Sequence, residues 1–217
     1  MSSSPIAPRM LRGALIGLDP MNPVASVIAF QYNPDTMTRR LEARSASGGA
    51  DERDRVEALR LHGPPRETIT LSVEVDAADL PGGSLQALLG VYPPLSALEM
   101  LLYPKTASVM INIGLAQAGN LEIIPPEQPL TLFVWGPARV LPVRVTSLSI
   151  TEESYDTLLN PTRAKVDLSL DVMSYHDLRV TNAGHALFLV HQVIKEGLAT
   201  SNLLNSAANI GTSLRIF

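Results

Sequence analysis

The sequence predicts an α+β fold: a mainly antiparallel sheet with a helical insert and a C-terminal helix. Three observations predict it. Residues 163–172 alternate without a break, with Ala164, Val166, Leu168, Leu170 and Val172 on one face and Arg163, Lys165, Asp167, Ser169 and Asp171 on the other. A period of two suits a strand with one dry and one wet face. Two more apolar runs precede it, so three long consecutive strands form a meander, which needs further sheet or a partner over its dry face. Helical spacing of apolar residues appears before the meander and again after it.

The elements follow in order. Residues 10–18 read as a first strand ended by Asp19-Pro20, and residues 24–32 as a second. In the second, Ile28, Phe30 and Tyr32 share a face. Asn33-Pro34 breaks it, because Asn can cap its own turn and Pro removes a ladder donor. A third strand covers residues 36–43. Residues 45–63 change character: Ser45 to Gly49 is rich in small residues, and Asp51-Glu52-Arg53-Asp54-Arg55 is a mixed charge run, which reads as a solvated loop or as a segment that orders against a neighbouring subunit. Residues 67–75 alternate again, with Ile69, Leu71, Val73 and Val75 inward and a hydroxyl-rich face outward.

An insert of two helices is expected over residues 84–120. One or two turns fall at residues 84–90. A better helix starts at Pro93-Pro94, since Pro is tolerated in a first turn, carries Leu95, Leu98 and Leu102 at helical spacing, and stops at Pro104. Residues 106–118 fit either strand or helix by pattern; their length and the Gly119-Asn120 stop favour a helix. The meander then runs through Leu130 to Trp135, a Gly136-Pro137 turn, a strand over residues 140–150, a polar loop over residues 152–160 and the alternating strand. Leu187, Val190, Ile194 and Leu198 mark a last amphipathic helix over residues 184–199, and residues 201–217 read as a weakly ordered tail.

Composition narrows the function. The chain has 217 residues, enough for one domain with an extension. A formal net charge of −4 argues against general phosphate binding and so against nucleic acid. With no cysteine there is neither disulfide nor thiolate zinc site. Residues 1–9 are rich in Ser and Pro without an apolar core, so no signal peptide is expected. No apolar run reaches the ~18 residues of a membrane span. Assembly in the cytoplasm is the expectation, with no direct membrane insertion.

Catalytic groups are sparse. His185 and His191 are six apart, which does not give the i, i+4 spacing of a helical metal pair. His176-Asp177 reads as an exposed strand-end pair, because catalytic triads are defined by geometry and not adjacency. Glu152 and Glu153 are neighbours, which on a strand point to opposite faces. The glycines lack the Lys-Ser/Thr context of a phosphate loop. Trp135, in an apolar strand, reads as core. No catalytic residue, cofactor or metal is expected.

Three segments together carry a family resemblance: Phe30-Gln31-Tyr32-Asn33-Pro34; the strand Glu67 to Val75; and the order Phe133-Val134-Trp135-Gly136, Val145 to Glu153, Asn160-Pro161-Thr162-Arg163 to Leu170. Over residues 10–178 the chain resembles the tube-protein family of contractile injection systems, the phage-tail-like machines of bacteria. The resemblance implies a β-sandwich or split barrel of the tail-tube type, with edges joined in a six-fold ring. It implies a flexible N-terminus at residues 1–9, a tube-like domain at residues 10–178 and a C-terminal helix and tail at residues 179–217. Some relatives carry a peptidoglycan-binding LysM domain after the tube domain; fewer than forty residues follow here, so cell-wall binding is not expected.

The insert and the last helix exceed a minimal tube subunit. The expected role is therefore the baseplate ring that joins the inner tube to the spike hub, with the main inner-tube subunit as the alternative. Partners would be copies of the chain, the inner tube protein, the spike or hub protein and other baseplate components, in a particle released from the cell or acting at its envelope. Candidate contacts are Phe30, Asn33, Pro34, Asn160 and Pro161, which match the family motifs, the Arg53-Asp54-Arg55 loop, and Glu152, Glu153 and Arg163. A reading of another class, a small β-barrel that binds flavin or another ligand, would need a phosphate site that the sequence does not display.

Overall fold

The computed structural model describes residues 11–19, 22–44, 61, 63–79, 88–104, 106–118 and 128–213. Seven antiparallel strands form one sheet, β1 (Ala14–Asp19), β2 (Asn22–Ala29), β3 (Met37–Glu42), β4 (Arg66–Asp76), β5 (Leu130–Val134), β6 (Val140–Tyr155) and β7 (Pro161–Val172). Their spatial order is β2-β1-β5-β6-β7-β4-β3. Among the described residues three α-helices accompany them: α1 (Tyr92–Glu99), α2 (Thr106–Gln117) and α3 (Ala183–Ser213).

The expected alternation sets the core. On β7, Ala164, Val166, Leu168, Leu170 and Val172 are all buried, and on β4 so are Ile69, Leu71, Val73 and Val75. The two strands are in register from Thr68↔Asp171 to Asp76↔Arg163, so their dry faces coincide. Leu141, Val143 and Val145 of β6, Phe133 of β5 and Leu15 of β1 continue that surface, and Leu95 and Leu98 of α1 belong to the same core. Burial of each such side chain stabilises the fold by roughly 1.5–3 kcal/mol. Trp135 is only half-buried and stacks on Phe133 at 5.9 Å. Gly136 turns the chain between β5 and β6 with φ 77°, a conformation that favours glycine.

The two margins of the sheet, β2 and β3, are consecutive in sequence, and among the described residues no ladder joins them. The sheet is open. Gln31, two residues beyond β2, nonetheless bonds the backbone of β4: its Nε2 donates to Asp76 O at 2.7 Å, and its Oε1 accepts from Asp76 N at 2.7 Å. A side-chain amide thus imitates one rung of a ladder.

Four expectations need correction. β6 does not stop at residue 150 but runs on to Tyr155, so Glu152 and Glu153 are strand residues and the loop shrinks to residues 156–160. Cross-strand pairing as far as Tyr155↔Pro161 extends it, past bulges that the polar composition conceals. Tyr32 does not share the dry face of Ile28 and Phe30: β2 ends at Ala29 and Tyr32 is exposed. Asn33 does not cap its own turn; its Oδ1 accepts from Gly13 N at 2.9 Å and its Nδ2 donates to Leu11 O at 2.8 Å, tying the turn to β1.

The last helix is the largest departure. α3 spans 31 residues, about 46 Å at 1.5 Å per residue. It absorbs most of the expected tail, and its buried face is the expected one only in part. Phe188 and His191 are buried and Leu187 and Ile194 half-buried, whereas Val190 and Leu198 are exposed. Nearly every residue from Ala186 to Ile194 is apolar, so periodicity alone does not select a face; contact with β6 does. The first expected helical turns at residues 84–90 fall mostly outside the described residues, as do the Ser45 to Glu52 part of the polar loop and His62.

Candidate assembly surface

β6 is the longest strand, and β5 pairs only with its first residues, from Val134↔Val140 to Thr131↔Val143. Residues 144–155 pair with β7 on one side. On the other side, among the described residues, no strand pairs with them. This open margin and the outer edge of β3 bound a four-strand panel, β6-β7-β4-β3. Unpaired strand margins present unspent N–H and C=O groups and are templates for another strand.

The outward face of the panel is polar throughout. Thr38, Thr70, Ser169 and Ser147 lie in one register row across the four strands. The next rows bring together Ser72, Asp167 and Ser149, then Glu74, Lys165 and Thr151. Arg163 reaches Glu74 at 3.3 Å and Glu153 at 3.6 Å. At the far end Asp171 accepts from Arg66 at 3.1 Å and lies 3.6 Å from Arg144. Exposed pairs of this kind are worth little in stability, ~0–1 kcal/mol. Their effect is to keep the face wet and free of apolar contact.

The β6–β7 tip is built by one carboxylate. Asp156 Oδ1 accepts from Leu158 N at 2.7 Å and Asn160 N at 2.8 Å, and Oδ2 accepts from Asn160 Nδ2 at 2.8 Å. The Asn160 side chain and backbone hold Asp156 below the usual carboxylate pKa. Leu159 adopts φ 64°, uncommon for a residue other than Gly. Gly90 closes under the tip, where a Cβ would collide with the Pro161 carbonyl, and Val91 N donates to that carbonyl at 2.8 Å. The Tyr155 hydroxyl bonds Glu152 and feels Tyr92, and both raise its pKa.

A second polar cluster fixes α3 to the sheet. Glu67 is buried on the dry side of β4, where it accepts from Arg39 Nε at 2.7 Å and from Lys195 Nζ at 3.3 Å. His191 lies beside this group, 6% exposed; neither ring nitrogen makes a hydrogen bond of good geometry, although the Ala138 backbone lies close enough to act on the ring. Burial, then the neighbouring Lys195, lowers its pKa against weaker opposing effects of the Ala138 backbone and Glu67. Asp177 answers to Ser174 and Arg44: burial pushes its pKa up, but hydrogen bonds from both outweigh it and leave a net lowering.

The structure separates the candidate contact residues. Phe30 is 3% exposed and Pro161 is fully buried, so both serve internal packing. Asn33, Pro34, Glu152, Glu153, Asn160 and Arg163 retain access to solvent. Glu152, Glu153, Asn160 and Arg163 gather at one end of the panel, while Asn33 and Pro34 stand beside β1. Arg53, Asp54 and Arg55 lie outside the described residues. Sequence reasoning missed Leu158 and Leu159, which are 79% and 74% exposed, and α2, none of whose residues is buried. Two adjacent leucines inside a polar loop were the available signal.

The described residues include no group of three His, Asp or Glu side chains placed to hold a metal ion. No helix among them is long and apolar enough to cross a membrane. No protein-family model and no curated protein matches the chain.

Proposed function

We propose that the protein is a structural subunit of a contractile injection system, forming a ring that connects the inner tube to the spike hub at the baseplate. The observation that carries this reading is the panel with two open margins. Among the described residues, the unpaired edge of β6 beyond Val143 and the outer edge of β3 stand at opposite sides of four strands. Pairing the β6 margin of one copy with the β3 margin of the next is a heterologous contact, and such contacts close into a ring when the rotation permits. The unbroken polar face would then line the lumen through which cargo passes, with hydroxyl and charged groups keeping it hydrated. The Gln31–Asp76 rung supports a split-barrel reading of the sheet, held by side chain where backbone pairing stops.

In this role the product is shape and stiffness. The ring transmits the thrust of sheath contraction and needs no reactive group. The main inner-tube subunit is the nearest alternative; it differs in requiring that copies stack on copies.

Native mass measurement with amide hydrogen exchange tests the proposal. Rings, of six copies by the resemblance, are expected, with amides of residues 144–155 and of β3 slowing on assembly. A protein that stays monomeric in the presence of its tube and hub partners, with those amides always fast, rules the reading out.

A further inference from the structure

The two ends of the panel differ in chemistry. β7 between Pro161 and Asp171 separates them by about 33 Å. At the β6–β7 end, Leu158 and Leu159 stand on the tip that Asp156 braces. Leu88, Leu89, Tyr92 and Tyr155, each at least 39% exposed, extend this apolar surface. Asn160 Nδ2 donates to Leu88 O at 3.4 Å, and the Val91–Pro161 bond draws the two segments together. Glu152 and Glu153 border the patch. At the opposite end a cleft of about 500 Å³ is lined by Arg44, Arg66, Arg144, Glu42, Asp171 and Asp177, with only three uncharged residues.

We propose that the Leu158–Leu159 tip is a docking knob for a protein other than this chain, one that presents an apolar groove bordered by Lys or Arg. The inference rests on the ring reading: lateral pairing uses the strand margins, so strand ends face the layers above and below. The tip continues directly from the free margin of β6. Its backbone is fixed before contact, which lowers the ordering cost of binding. Exposed leucines on a rigid support are suited to filling a pocket, and the border, acidic on balance because Glu74 and Glu153 share Arg163 while Glu152 lies beside them, selects a basic rim. A second copy stacked end to end would bring the leucines onto six charged residues. That contact would strip water from ion pairs with nothing to replace it. The apolar end therefore needs an unlike neighbour.

The chain has no cysteine, so Leu158→Cys creates a single labelling position. The test uses intact particles carrying this variant with a benzophenone maleimide on Cys. The expected photoproduct joins the tip to a different subunit, inside an apolar groove flanked by basic residues. Leu158→Glu combined with Leu159→Glu is expected to leave the ring mass unchanged. It should weaken attachment of the adjoining layer roughly thirty-fold or more. A photoproduct between two copies of this chain overturns the proposal, as does an unlabelled neighbour in intact particles or normal assembly of the double variant. Loss of the ring in the unsubstituted protein would instead be a failure of the ring reading itself.

Discussion

Strand β7 and helix α2 are each twelve residues long, and they have opposite fates. β7 carries Arg163, Lys165, Asp167 and Asp171, yet buries one whole face. α2 carries no charged residue at all, yet none of its residues is buried, and Val109, Met110, Ile111 and Ile113 stand at 39–64% exposure. Hydrophobicity therefore does not decide burial here. Position does: β7 is flanked by β4 and β6 along its length, and the core closes over its dry side. An amphipathic strand divides its surface between core and solvent, whereas an uncharged helix without a cover has apolar surface left for another body.

Breaking the buried side of this comparison has the largest effect. Leu170→Ala removes a side chain with no solvent exposure at the centre of the sheet. It is expected to cost about 2–5 kcal/mol. For a chain of this size that lowers Tm by roughly 5–15 °C by calorimetry. A shift near zero would mean that β7 is not the centre of the core.

An intermediate effect comes from the α3 anchor. His191 has a folded pKa below its unfolded value of about 6.5. The unfolded chain then binds more protons, so stability is full above that pH and falls as pH drops below it, levelling off under the lowered folded pKa. The charged groups facing it are Lys195, Arg39 and Glu67. Melting curves between pH 7.5 and 5 are expected to decline in the unsubstituted protein and to flatten in His191→Phe; equal slopes would discard the account.

The smallest effect is expected on the exposed side. Met110→Glu together with Ile113→Lys should change the stability of the free chain by no more than about 0.5 kcal/mol, measured by urea titration. A large loss would show that α2 already has its cover within the chain, and the contrast with β7 would disappear.

The same contrast explains which features were legible. Alternation on β4 and β7 is a local property, and the dry faces of Ile69 to Val75 and Ala164 to Val172 follow from it residue by residue. The extension of β6 to Tyr155 was hidden, because Thr151-Glu152-Glu153-Ser154 has loop composition and becomes strand only through its partner. The face of α3 was hidden for the opposite reason: apolar residues on every side gave the pattern no direction. The clustering of Glu152, Glu153, Asn160 and Arg163 at one end depended on hairpin register. The bracing of the leucine tip by Asp156 is local, with partners two and four positions on, but the closure of Leu88 to Val91 beneath it joins segments about seventy residues apart.

The order of residues by itself determined the strand periods, the turn at Gly136 and the helical character of residues 106–117, since each depends on neighbours within a few positions. Tertiary structure alone decided which strands lie side by side, which margins stay open and which apolar residues remain uncovered. Those outcomes depend on pairing between segments as much as a hundred residues apart, such as Thr68 with Asp171, and no local pattern encodes them.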